Sequence, residues 1–180
     1  MPGTNPETQP EIATPRLRLR PLRTRDAGLI ALYGSDRRVA WTTARIPHPY
    51  PPGAAEAFIE RVTAPGSTER SWALDTGDDA GNGLVGVIAL WPKVDGEAEI
   101  GYWVAPAFWN TGYASEAVEA LLPVAAEAGW RELVAEVFQD NPASARVLTR
   151  AGFGWEGAGE TFSLARGAMV PTFRYRRVLG

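Results

Sequence analysis

Polar and apolar residues alternate where the first regular element begins. Arg16-Leu17-Arg18-Leu19-Arg20 has period two, which predicts a strand with Leu17 and Leu19 facing inward and the arginines facing solvent. Pro21 ends it, and Thr24 is placed to cap a helix carrying Leu29, Ile30, Leu32 and Tyr33. Ile46 to Gly53 holds four prolines and reads as a loop, with a short helix following over 54–62. Strands are predicted at 71–75, 84–91 and 97–104, joined by the Gly/Asp/Asn-rich connection Thr76 to Gly83 and by a turn over 92–96. The period then changes. Ala114, Ala117, Val118, Leu121, Leu122 and Ala125 share one helical face, with Pro123 expected to bend or loosen the helix and Gly129 to end it. A strand at 132–138, a helix at 142–151 and strands at 153–156 and 172–179 complete the pattern. The order is mixed α/β, with early hairpins, a later crossover and no second domain.

Composition narrows the function classes. Hydrophobic residues make up 45% of the 180 positions and charged residues 22%, a balance that supports one ordinary buried core. A net charge of -3 argues against a nucleic-acid partner, and the arginines near the start read as the solvent side of a strand. There is no cysteine, so disulfides, thiolate zinc and a cysteine nucleophile are excluded, and the one histidine, His48, cannot build a His-rich metal site. No apolar run approaches the roughly 20 residues of a membrane helix. Residues 1–14, rich in Pro, Thr and Glu, read as a flexible tail of a cytoplasmic protein, with the folded domain over 15–180.

The segment Trp109-Asn110-Thr111-Gly112-Tyr113-Ala114-Ser115-Glu116-Ala117 lies between a strand and a helix. A glycine turn there aims backbone N–H groups and the positive end of a helix at one point, which suits a diphosphate. Gly112 avoids a Cβ at the point of approach, and Ala114 keeps the next turn small. No Gly-Lys-Ser/Thr and no G-x-G-x-x-G follows, so neither a Walker A loop nor a nicotinamide fingerprint is present. An ordinary strand-to-helix turn remains an equal reading of this segment alone. In Asn141-Pro142-Ala143-Ser144, Asn141 reads as a helix cap and Pro142 as the first helical residue.

Together, Glu99-Ile100-Gly101-Tyr102-Trp103-Val104, the Trp109 to Ala117 segment, and Asn141-Pro142-Ala143-Ser144 with Ala151-Gly152-Phe153 resemble the GNAT-type N-acetyltransferase superfamily. The Pro-rich His48-Pro49-Tyr50-Pro51 makes the chain similar to the RimJ/RimL-like branch, which includes ribosomal-protein N-terminal acetyltransferases. The resemblance covers almost all of the chain from Pro15. Trp109 stands where the superfamily usually has Gln or Arg, and Asn110 where many members have Gly.

The resemblance implies an α/β (α+β) GNAT fold, with a mixed sheet of about six to seven strands splayed between the fourth and fifth and about four flanking helices. It implies acetyl-CoA as acyl donor, without a metal. The donor's arm would lie in the splay against the backbone of Trp103 and Val104. Its diphosphate would sit over Asn110, Thr111, Gly112, Tyr113 and Ala114 with Ser115 in reach, and Asn141 would hold the arm. Ser144 occupies the family position proposed to protonate the departing thiolate. Glu99 matches an acidic position proposed as general base, directly or through water; a polar residue on an exposed strand face is the other reading, and Glu97 shares its parity. Tyr102 and Tyr113 are alternative proton donors or packing residues. Trp41, Trp72 and Trp91 fall where the family builds its acceptor groove, with core packing an equal reading, and His48 lies in the loop beside them.

The acceptor would be an amine, with no DNA or membrane partner, and a homodimer is one state the resemblance implies. An α-amine, with pKa about 7.7–8.0, is about a tenth neutral at pH 7, against less than about a thousandth for lysine at 10.4, so a modest base favours the α-amine. Polyamines, amino acids and antibiotics stay open as acceptors, as does an acyl-CoA sensor without turnover.

Overall fold

The computed structural model describes residues 9–77 and 83–180, so residues 78–82 of the expected Thr76–Gly83 connection lie outside the described residues. In chain order the elements are β1 (Ile12–Ala13), β2 (Arg18–Pro21), α1 (Ala27–Gly34), α2 (Arg37–Trp41), α3 (Ala54–Thr63), β3 (Arg70–Asp75), β4 (Leu84–Pro92), β5 (Glu97–Val104), α4 (Tyr113–Glu127), β6 (Glu132–Phe138), α5 (Pro142–Arg150), β7 (Gly154–Ser163) and β8 (Ala168–Val178). The described strands form one sheet in the order β1-β2-β3-β4-β5-β6-β8-β7. All neighbours are antiparallel except β5 and β6, whose crossover is α4.

The sheet is covered on both faces. Leu17, Leu19, Ile100, Leu133 and Val137 meet α4 and α5 through Val118, Leu121 and Leu148. On the other face Ala73, Leu84 and Val87 meet Ile30 of α1 and Ile59 and Val62 of α3. This two-sided burial is why β4, Leu84 to Leu90, is continuously buried rather than alternating.

Among the described residues there are eight strands and five α-helices, against the about six to seven and about four expected. The additions are short or exposed. β1 is two residues held against Arg18 and Leu19. Gln9 donates to the Ser71 carbonyl at 2.9 Å and the Trp72 indole to the Pro10 carbonyl at 2.9 Å, so the chain is docked from residue 9, earlier than the expected domain start. α2 is one short turn capped by Asp36, which accepts from the Arg38 amide. β7 and β8 run well past the predicted lengths because β8 pairs on both sides.

Arg20 departs most from the solvent-facing reading. It is 1% exposed, with Nε 2.6 Å from Asp75 and a paired contact of 2.9 Å to both oxygens of Asp26. The side of β2 expected to meet water is covered at Arg20 by the start of α1, and the buried guanidinium is matched by two carboxylates. Asp26, not Thr24, organises the helix start by accepting from the Arg23 amide at 2.8 Å. Pro123 lies inside α4, which continues through it. Pro123 and Glu119, whose carbonyl loses its partner, are both on the exposed side, where water can replace the missing bond.

Candidate active site

The parallel pairing of β5 with β6 covers only Glu97–Glu132, Ala98–Leu133 and Glu99–Val134. Beyond Glu99 the two strands part. Along the β4–β5 ladder, Lys93 N donates to Glu97 O and Ala105 N to Val85 O, both at 2.8 Å. That phase puts odd-numbered β5 residues in exchange pairs with β4 and turns the main-chain groups of Tyr102 and Val104 toward the gap. Trp103, expected to present its backbone beside Val104, therefore gives its place to Tyr102. Its ring lines the cleft and meets Tyr33 edge-on at 6.3 Å. The Val104 carbonyl accepts from the Trp109 indole at 2.7 Å. Gly86 permits the close approach of β4 here, since a Cβ would collide with the Trp103 carbonyl and Val104 Cα.

The gap continues into a cleft of about 840 Å³. At one end stands the N-terminus of α4. Gly112, with φ of 85°, turns the chain, and the first ladder bond runs from Glu116 N to Gly112 O at 3.0 Å. The amides of Tyr113, Ala114 and Ser115 precede that ladder and point out of the helix end. Asn110 has φ of 60°, the left-handed conformation that Asn tolerates best after Gly, so it fills a glycine's place without changing the turn. Thr111 Oγ1 donates to the Phe108 carbonyl at 2.6 Å, bracing the turn from within. Asn110 to Ser115 all line the cleft.

The wall opposite β5 is α5. Asn141 caps it, its Oδ1 accepting from Ser144 N at 3.3 Å, and both residues line the cleft. The Tyr102 phenol lies 2.9 Å from Ser144 Oγ and 3.2 Å from the Ser144 carbonyl oxygen. Burial pushes the Tyr102 phenol well above the ordinary tyrosine range, and the Ser144 contact offsets this only in part. A phenol that holds its proton is a hydrogen-bond donor, and it sits behind the serine hydroxyl.

Two carboxylates line the other end. Glu99 is held by cations on both oxygens, Lys93 Nζ at 2.7 Å and Arg45 Nη2 at 3.4 Å. Glu136 lies on the parted half of β6 and on the same sheet face as Glu99. Its carboxylate takes hydroxyl donors from Thr161 and, at 3.5 Å, Thr172, and among the described residues no cation pairs with it. Glu136 was not singled out in the sequence, although its parity, opposite to the buried Leu133, Ala135 and Val137, marks it as facing away from the α4–α5 core. Trp91 lies over Gly101, where a Cβ would stand 2.6 Å from its ring, and the Arg45 guanidinium stacks on it at 3.9 Å.

Of Trp41, Trp72 and Trp91, Trp91 alone lines the cleft. Trp72 is a correction: at 0% exposure it belongs to the core. Trp41 lies outside the cleft, sandwiched by Arg37 at 4.3 Å and Arg166 at 5.3 Å, and its carbonyl accepts from Arg166. That contact, with Arg166 also gripping Asp140 at 2.7 Å, docks the β7–β8 hairpin on the 41–46 segment that carries Arg45. His48 stays in the Pro-rich loop, away from the cleft lining. Among the described residues no helix is long and apolar enough to cross a membrane.

A parted parallel strand pair, an amide-lined helix mouth and two carboxylates on one sheet face share this cleft. The acetyltransferase (GNAT) domain profile matches residues 16–154, and the chain belongs to that family. The uncharacterized N-acetyltransferase YoaA of Bacillus subtilis is 36% identical over 94 residues, which are 52% of this chain and 52% of that one; the match thus spans about half of the relative. Two solved structures share the fold. The ribosomal-protein-S5-alanine acetyltransferase from Vibrio fischeri has a TM-score of 0.78 at 16% identity, covering 95% of this chain and 97% of its own. The spermidine N-acetyltransferase from Vibrio cholerae, in complex with CoA and spermine, has a TM-score of 0.76 at 19% identity, with 92% and 97% covered.

Proposed function

We propose that this protein moves the acetyl group of acetyl-CoA onto a primary amine, and that the amine is the N-terminal α-amine of a protein or peptide. The observation that carries the reading is the parting of β5 from β6 after Glu99, beside the amides that open α4. Strand edges left without a partner are costly, and an amide-bearing arm between them satisfies both. The residues present fit that donor. The amides of Tyr113, Ala114 and Ser115 receive the diphosphate, the main chain of Tyr102 and Val104 receives the arm, and Asn141 flanks it.

Acetyl-CoA supplies the activated thioester, and the chain supplies the proton handling. Glu136 accepts the proton of the incoming amine, because its carboxylate has hydroxyl partners only. Glu99, held by Lys93 and Arg45, orients water or the amine. Ser144 Oγ gives a proton to the departing thiolate sulfur, and the Tyr102 phenol, 2.9 Å from that oxygen with either atom able to donate, is placed to return a proton to the serine as its own leaves. The modest base this arrangement offers suits a weakly basic α-amine better than lysine. The relatives' names span both a ribosomal-protein alanine and spermidine as acceptors, so the fold admits either class.

Thiol release from acetyl-CoA, followed with peptides of different first residues, spermidine, free amino acids and aminoglycosides, tests the reading. Turnover fastest with peptides is expected. Turnover confined to small amines removes the peptide acceptor. Coenzyme binding without release for every amine replaces catalysis with an acyl-CoA sensor.

A further inference from the structure

The arginine cluster near the start of the chain holds one member that the catalytic account leaves unused. Arg16, just before β2, reaches the helix mouth from behind. Its Nη1 donates to the Thr111 carbonyl at 2.7 Å, its Nε to Glu116 Oε2 at 2.7 Å and its backbone N to Glu116 Oε1 at 2.8 Å. Its guanidinium stacks on the Tyr113 ring at 4.8 Å, and Nη2 lies 3.2 Å from where a Cβ on Gly112 would stand. Thr14 Oγ1 adds a 2.5 Å bond to Glu116 Oε1.

The arrangement answers an electrostatic conflict. Glu116 is in the first turn of α4, where a carboxylate stabilises the helix by facing its positive end. The diphosphate needs that same positive end. Burial alone would raise the Glu116 carboxyl, but the donors from Thr14 and Arg16 hold it below the ordinary glutamate range, so it is charged. Its side chain is only 14% exposed, so solvent screens it poorly. Left alone, this charge would repel a phosphate at the adjacent amides.

We propose that Arg16 is a positioning residue for the cofactor diphosphate: it neutralises Glu116 and, through Thr111, fixes the turn that presents the α4 amides. Arg16 acts through Glu116 and the turn rather than by touching the ligand. The inference rests on the coenzyme A reading above. It places the recognition of phosphate partly in the segment before β2, which is tied at its other end to Ser71 and Trp72 by Gln9 and Pro10.

Calorimetric titration with coenzyme A and with pantetheine, which has the arm but no phosphates, tests it. Arg16→Met weakens coenzyme A binding about tenfold and leaves pantetheine within about twofold. Arg16→Met combined with Glu116→Gln recovers most of that loss, because the uncompensated carboxylate is gone. Unchanged coenzyme A affinity in Arg16→Met, equal losses for both ligands, or no recovery in the double variant overturns the proposal. Should Arg16→Met fail to fold, Glu116→Gln decides alone. It tightens coenzyme A at low ionic strength, and wild-type affinity with wild-type salt dependence contradicts the proposal. A wild-type protein that binds neither ligand instead removes the coenzyme reading itself.

Discussion

The phenol of Tyr102, on β5, stands 2.9 Å from the hydroxyl of Ser144, on α5, across the open end of the parted strands. The two residues are 42 positions apart in the chain, and only the crossover through α4 brings them together. Ser144→Ala lowers kcat about a hundredfold, the usual loss when a proton donor is removed, and leaves coenzyme A affinity within about twofold. Steady-state kinetics beside calorimetry separates the two. Equal losses in kcat and affinity would make Ser144 a cleft-packing residue rather than a proton donor.

Tyr102 also has a pH signature. Burial raises its phenol in the folded protein above its unfolded value of about 10. The unfolded chain therefore gives up the proton first, and stability falls as pH rises beyond about 10. Tyr102→Phe flattens that part of the profile, measured by urea unfolding at pH 9 to 11. An unaltered alkaline loss in the variant would show that the phenol is not desolvated.

Glu136 and Glu99 line one cleft but differ in company. Glu136→Gln lowers kcat/KM about a hundredfold at neutral pH, mainly through kcat. Glu99→Gln frees Lys93 and Arg45, and its main effect is a higher KM for the acceptor. A Glu99→Gln loss in kcat larger than that of Glu136→Gln would transfer the base to Glu99.

Much of this architecture is legible from local pattern. β5 and β6 have the lengths their sequence predicts, and Gly112 begins the helix where the period changes from two to 3.6. What escapes reading is set by distant partners. Arg20 alternates with leucines like a solvent-facing residue, and its partner Asp75 is 55 positions away. Trp72 looks like any aromatic on a strand until both faces of β3 are covered. β7 has Gly157 and Gly159 and few buried residues, so neither propensity nor alternation marks its length. Glu136 has a readable parity but no local sign of the cleft it faces.

The buried Arg20 cluster makes the largest stability prediction. Asp75→Asn leaves the guanidinium with one carboxylate and costs about 3–5 kcal/mol. Burial alone would raise the Asp75 carboxyl, but the Arg20 guanidinium and the Gly77 amide hold it below its ordinary value. Its contribution is therefore present above about pH 4 and lost as pH falls further. Denaturant unfolding at pH 7 and pH 3 checks this. A variant as stable as wild type at pH 7 would contradict the pairing.

The turn before α4 separates two left-handed residues by their tolerance. Asn110→Gly preserves the conformation, and coenzyme A affinity stays within about twofold. Gly112→Val forces a branched side chain to φ of 85° beside Arg16, and affinity drops at least about tenfold. Thermal shift with and without coenzyme A reads both.

The central claim is that the unpaired edges of β5 and β6, with the opening amides of α4, form the seat of acetyl-CoA. A crystal structure with coenzyme A tests it most directly. The account predicts the diphosphate against Tyr113, Ala114 and Ser115, and the arm bonded to the main chain of Tyr102 and Val104. Coenzyme bound elsewhere, with the two strands paired beyond Glu99 and Val134, would contradict it.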